Sequence, residues 1–379
     1  MASYDFSDEI LFEIFSRAEL KTMKKCRVLS KEWKDLTYES SFMRLHSERT
    51  STMEGYLVQC SRIFTSLPSE LVSIVNSGLD PKPTRDLLNF LPQPTWIVAA
   101  VNGGLVLCSR SRIGGNSFII CKPTTQQWEV IPSPKRRIWQ AMISMLVLGS
   151  NPLRFKIVRL SDSRYDDIDR DRVSDSDSES EYSDEEDVSW HCEIFDSKSW
   201  EWKQSDDFKL TYYDSFENTQ DVSACGGLHW LMFNHEQDKR TILSFDGDKE
   251  EWGMTSLPDS LGGKGRRVAH VSYQGKLGLI NHSYETKMLD IWILNHEKIW
   301  IKKHTINLES INEKVSHSRF HSFYGADTLF MVDIGLVDIK WVSFYNFMTH
   351  KLNRIMVGGS IDSAYFIQTD SESVKLKPE

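Results

Sequence analysis

CEIFDSKSWEW, residues 192–202, is the stretch from which the fold can be read. A short apolar run leads into Asp196, whose side chain favours a turn, and Trp202 ends the strand after that turn. The same plan recurs along the chain. FIICKPTTQQW ends at Trp128, ILSFDGDKEEW at Trp252, IWILNHEKIW at Trp300 and, more weakly, VSFYNFMTHKL at Leu352. The end points are 74, 50, 48 and 52 residues apart.

A glycine-led apolar segment precedes four of these units, at Gly104, Gly227, Gly275 and Gly325. Gly55 stands 49 residues before Gly104 and marks a degenerate first unit. A period near 50 built of strands is the signature of a kelch-like β-propeller. Each blade is then a four-stranded sheet that buries its faces against its neighbours. About six consecutive units from residue 51 fit the length. In this reading the Asp or Asn makes a turn, the glycine admits a crowded inner strand, and each Trp fills the space between blades. All four tryptophans are expected to be buried at the same place.

The one long interval, 74 residues, contains an insertion. Ser161 to Asp187 holds thirteen Asp/Glu and three Arg, so its net charge of −10 exceeds the −9 of the whole chain. Such a segment cannot bury enough apolar surface to order itself, and it reads as a disordered loop leaving one blade. Ser174, Ser176, Ser178 and Ser183 each have an acidic residue three positions on, which suits acidophilic kinases. A solvated spacer is the simpler reading of the same residues.

Residues 1–50 read differently. Ser7 suits a helix N-cap, followed by Asp8 and Glu9 at the positive end of the helix dipole. Ile10, Leu11, Ile14 and Phe15 make one apolar stripe at helical spacing, with Phe6 placed to staple the helix start. A second helix is expected over Leu20–Leu29 and a third from Ser30, carrying Trp33 and Leu36. Three helices this short need a partner or a following domain for stability. The stripe therefore either docks on another protein or packs within the chain.

No run of apolar residues approaches the ~20 of a membrane helix. No signal-peptide pattern is present, and the six cysteines are scattered, so reduced thiols in the cytoplasm or nucleus are expected. No basic stripe interleaved with aromatics points to nucleic acid. Neither His317 and His321 nor His191-Cys192 comes with further ligands at zinc spacing, and Gly262-Gly263-Lys264-Gly265 lacks the Walker pattern. No metal, cofactor or catalytic set is expected.

Two stretches resemble plant F-box proteins. Asp8-Glu9-Ile10-Leu11, Glu13-Ile14, Arg17, Lys21, Arg27, Val28-Leu29-Ser30-Lys31, Trp33, Phe42 and His46 match the F-box pattern, most specifically in Ser-Lys-x-Trp. Ser7, Glu19 and Ser40 stand where the family usually has proline. NGGLVLC, CKPTTQQW, CEIFDSKSWEW and GGLHWL are similar to the family's F-box-associated, kelch-type region. The resemblance implies a mainly β protein. A three-helix F-box (1–50) would bind a Skp-type adaptor, and a propeller (51–379) would bind a target protein. It implies a non-catalytic subunit of a Skp–cullin–F-box ubiquitin ligase, reaching a cullin–RING assembly through the adaptor. The adaptor-binding residues would be Phe6, Ile10, Leu11, Ile14, Phe15, Leu20, Val28 and Trp33. A propeller scaffold without ligase activity and a kelch-type propeller enzyme are the alternatives.

Overall fold

The computed structural model describes residues 8–50, 52–62, 65–66, 70–72, 84–85, 87–93, 95–101, 104–110, 117–136, 141–150, 152–163, 187–217, 220–262, 267–283, 285–315, 318–333, 339–358 and 360–378. Phe6 and Ser7, most of the acidic insertion and the four candidate phosphorylation serines lie outside them.

Among the described residues the strands form six antiparallel sheets. The first holds Trp96–Val101, Leu105–Ser109, Phe118–Lys122 and Gln127–Ile131. The second is built on Met142–Ser150, Leu153–Asp162, Val188–Asp196 and Glu201–Gln204. In the third, Asp214–Phe216 and Val222–Ala224 share the inner edge of Gly227–Asn234, followed by Lys239–Asp246 and Glu251–Ser256. The fourth runs Arg267–Tyr273, Lys276–Ser283, Met288–Leu294, Trp300–Asn307. The fifth runs Ser318–Tyr324, Thr328–Asp333, Ile339–Asn346, Lys351–Gly358.

The sixth sheet departs from the expected consecutive units. Met53–Arg62 pairs on one side with Glu70–Val72, which pairs with Thr84–Arg85, and on the other with Ser360–Thr369. With the short Thr65–Ser66, which also pairs with Met53–Arg62, the degenerate first repeat is thus four N-terminal strands completed by the C-terminal one. Six apolar clusters join the sheets in a closed ring. Phe118 and Ile120 meet Phe155 and Phe195 between the first and second sheets, and Leu57 and Ile367 meet Val106 and Cys108 between the sixth and first. The other four junctions are of the same kind. Strands buried on both faces read as continuous apolar runs, as LVLCS at 105–109 does. The molecule is a β-propeller with a small helical unit.

The turn chemistry follows the repeat. Asp246 Oδ1 accepts from the backbone N–H groups of Asp248 (3.0 Å) and Lys249 (2.9 Å), and Asn346 Oδ1 from those of Met348 (3.1 Å) and Thr349 (2.8 Å). The glycines stand where space is short, as expected: a Cβ would lie 2.0 Å from Thr369 Oγ1 at Gly104 and 2.6 Å from Phe245 O at Gly227. Gly104, Gly226, Gly275 and Gly325 have φ of +82°, +78°, +74° and +72° in the hairpins between first and second strands. In the third sheet the two roles divide, Gly226 taking the turn and Gly227 the crowded strand position.

The four repeat tryptophans do occupy one position. Trp128, Trp202 and Trp252 pair with Cys121, Phe195 and Phe245, and Trp300 with Leu294, each near the hairpin into the outermost strand. Their burial is unequal. Trp202 is 7% exposed and Trp128 40%, with Trp252 and Trp300 between. An outermost strand is covered only where the neighbouring sheet reaches that far, so a shared position does not dictate shared burial.

Residues 8–49 form four helices rather than three: α1 (Asp8–Phe15), α2 (Leu20–Leu29), α3 (Lys31–Thr37) and α4 (Ser40–Arg49). The chain breaks after Thr37 because Glu39 is extended. The Arg27 guanidinium also holds this corner, donating to Thr37 Oγ1 and Thr37 O (3.0 Å each) and stacking on Tyr38 at 4.1 Å.

A buried carboxyl sits at the seam of the ring. Glu54 is 2% exposed, accepts from the Tyr324 hydroxyl, and accepts from Gln368 Nε2 at 2.9 Å. Burial pushes its pKa up to about 7, against those hydrogen bonds and the Arg27 charge. A folded-state pKa above the unfolded value of ~4.3 means the folded protein holds the proton more tightly. That contribution to stability is present at acid pH and declines as pH rises through the window up to about 7. Glu54→Gln keeps the neutral form at every pH. Its stability relative to wild type should therefore improve between pH 5 and pH 8 in urea unfolding; a difference independent of pH would contradict this.

Candidate functional site

The helical unit docks on one end of the ring. Ala326 N–H donates to Tyr38 O at 2.7 Å, Ser40 N–H to Asp327 Oδ1 at 3.3 Å, and Asn346 Nδ2 to Ser40 Oγ at 3.2 Å. Gly325 permits this approach: a Cβ there would lie 2.6 Å from Tyr38 O. The hairpins between first and second strands lie at this end. Second and third strands meet at the other end, where Asp162 pairs with Trp190 and the chain between Asp162 and Val188 carries the acidic insertion. Ser161 and Asp162 themselves are buried strand residues, so the insertion is shorter than the expected 161–187.

The expected adaptor-binding residues divide into two groups. Ile10 and Ile14 are 48% and 51% exposed and stand together with Glu9, Glu13 and Arg17 on the free side of α1. Val28 is exposed too, beside an exposed Leu29 that helical spacing alone does not single out. Phe15 and Leu20 are core residues, with Leu11 and Trp33 packed against them. Phe15 meets Trp33 with ring centroids 5.0 Å apart. Phe15 and Leu20 therefore serve the unit's own interior, while Leu11 and Trp33 are only partly covered.

The motif residues are mostly architecture. Ser30 Oγ caps α3 by accepting from Trp33 N–H at 3.4 Å. His46 is fully buried, with Nε2 2.8 Å from Ala18 O and its ring stacked on Phe42. On the exposed face Arg17 and Arg49 both pair with Glu13 and hold its carboxyl below the usual range.

The ring encloses a cavity of about 1740 Å³ that opens beneath the helices. His270 and His321 line it, and burial lowers both to about 4, so they are neutral at pH 7. Among the described residues no group of three or more His, Cys, Asp or Glu side chains is placed to hold a metal ion.

A closed ring of antiparallel sheets with a helical unit bonded to one end defines a β-propeller of the F-box-associated kind. The model of the F-box associated beta propeller domain matches residues 64–375. Arabidopsis thaliana proteins are similar in sequence, among them the following three. F-box protein At5g41720 is 34% identical over 41% of this chain and 86% of its own length. F-box protein At5g49610 is 25% identical over 78% and 74%. F-box/LRR-repeat protein At2g43260 is 23% identical over 81% and 68%. The chain belongs to the plant F-box proteins that carry an F-box-associated propeller domain.

Proposed function

We propose that this protein is the substrate-recognition subunit of a Skp–cullin–F-box ubiquitin ligase, acting in the cytoplasm or nucleus. Residues 8–49 serve as its F-box, and the six sheets are six blades that bind the protein to be ubiquitinated. The observation that carries this reading is the exposed pair Ile10 and Ile14 on a helical unit whose opposite side is bonded to the propeller. Two neighbouring aliphatic side chains on a free helix face are what a partner helix can bury. The end of the ring away from the helices is left for the target. All six cysteines are free thiols, in keeping with a reducing compartment.

Burying one isoleucine is worth ~1.5–3 kcal/mol, and a charge in its place adds desolvation. Ile14→Asp should therefore weaken capture of a Skp-type adaptor by about a hundredfold or more. Because Ile14 is exposed, the melting temperature should hardly move. Equal recovery of adaptor by wild type and variant in a pull-down would sink the assignment of this face.

A further inference from the structure

The chain is acidic, at −9, yet the wall of its cavity is basic. Thirteen Lys and Arg line it against four Asp and Glu. Ten of those cations stand at the end covered by the helices, with only Asp370 and Glu372 opposing them there. They come from separate parts of the chain that only the fold brings together. Lys21, Lys24 and Lys25 come from α2, Lys122 from the first sheet, and Lys375 and Lys377 from the C-terminal tail.

These lysines are not equally satisfied. Lys122 Nζ donates to Asp370 Oδ1 at 2.7 Å and also to Glu372 O. Lys21 reaches Glu372 at 3.9 Å. Lys24, between them on α2, is partly buried and makes no hydrogen bond or ion pair with the described residues. Burial, together with the Arg27 and Lys122 cations, pushes its pKa down to about 8, against the pull of Asp370. Like charges gathered at a partly closed, low-dielectric site repel, and a fold keeps them cheaply only when an anion compensates them.

We propose that this vestibule binds a small, multiply charged anion bearing phosphate or carboxylate groups, held between Lys21, Lys24 and Lys25 of α2 and Lys375 on the propeller side. Such a ligand would bridge the helical unit to the ring and strengthen their docking. α2 and the C-terminal tail flank the opening, which favours a small molecule over a folded partner. The inference does not depend on the ligase assignment.

The test is calorimetric titration of the purified full chain, at low ionic strength, with sodium tripolyphosphate and separately with citrate. Saturable one-to-one binding that weakens with added salt is expected, together with a rise in melting temperature. Tighter binding of tripolyphosphate assigns the site to phosphates, and tighter binding of citrate assigns it to carboxylates. Lys24→Gln should weaken binding about tenfold, the loss of one charge-assisted hydrogen bond, and Lys24→Glu should abolish it. Lys303→Glu, on the exposed outer strand of the fourth sheet, should bind as wild type does. The melting temperature of Lys24→Gln without ligand shows that it folds. The proposal is overturned if neither anion binds, if the Lys24 variants bind like wild type, if Lys303→Glu loses as much, or if only an Asp/Glu-rich peptide is bound.

Discussion

Removing residues 360–379 should abolish cooperative folding of the whole propeller. Ser360–Thr369 is the inner strand of the sixth sheet and pairs with Met53–Arg62 from Met53↔Thr369 to Ser61↔Ser360. It brings Ala364, Ile367 and Thr369 into the interior at 0–1% exposure. Each large buried apolar side chain contributes ~1.5–3 kcal/mol. Leaving backbone N–H and C=O groups of the partner strand unpaired costs ~1–3 kcal/mol for each that stays buried. A few such losses exceed the ~5–15 kcal/mol by which an ordinary domain is stable. The strand also closes the clusters on both sides, with Tyr56, Phe330 and Phe344 on one and Val106 and Cys108 on the other. The measurement is far-UV circular dichroism through a urea titration. A truncated chain that unfolds in one transition at the wild-type midpoint would show that the ring does not need closing.

Trp202→Ala should cost ~3–5 kcal/mol, and Trp128→Ala less than about 1 kcal/mol, although both occupy the same place in the repeat. Trp202 packs on Phe195 and, across the junction, on Phe118, with ring centroids 5.6 and 6.1 Å away. Its indole N–H donates to Pro132 O at 2.6 Å, tying the second sheet to the chain leaving the first. Removing it opens a cavity and leaves that carbonyl without its partner. Trp128 loses little because water already reaches it. Trp300→Ala should fall between, since its ring is partly buried while its indole N–H donates to Ser256 O at 2.9 Å. Equal losses at Trp202 and Trp128 in chemical denaturation would contradict this ordering.

The repeat, and with it the class of fold, is legible in the order of residues. Turn chemistry is local: Asp246 and Asn346 accept from backbone groups only two and three residues on, so the pattern is visible in a single stretch. Helix signals are local too, and α2 has the expected bounds, Leu20–Leu29. The F-box motif could be read because Ser30, Trp33, Phe42 and His46 each serve the architecture of that small unit.

Whatever depends on partners distant along the chain is settled only once the ring has assembled. The closure of Met53–Arg62 by Ser360–Thr369 pairs segments some three hundred residues apart, and no local preference announces it. The same holds for burial, which a neighbouring sheet grants to Trp202 and withholds from Trp128. On α1 the stripe Ile10, Leu11, Ile14 and Phe15 looks uniform in sequence. Packing turns Leu11 and Phe15 inward against Trp33 and leaves Ile10 and Ile14 outside. The basic vestibule was hidden for the same reason. Lys24, Lys122 and Lys375 form no cluster until α2, the first sheet and the tail meet at one end of the ring, and electrostatics acts through space rather than along the chain.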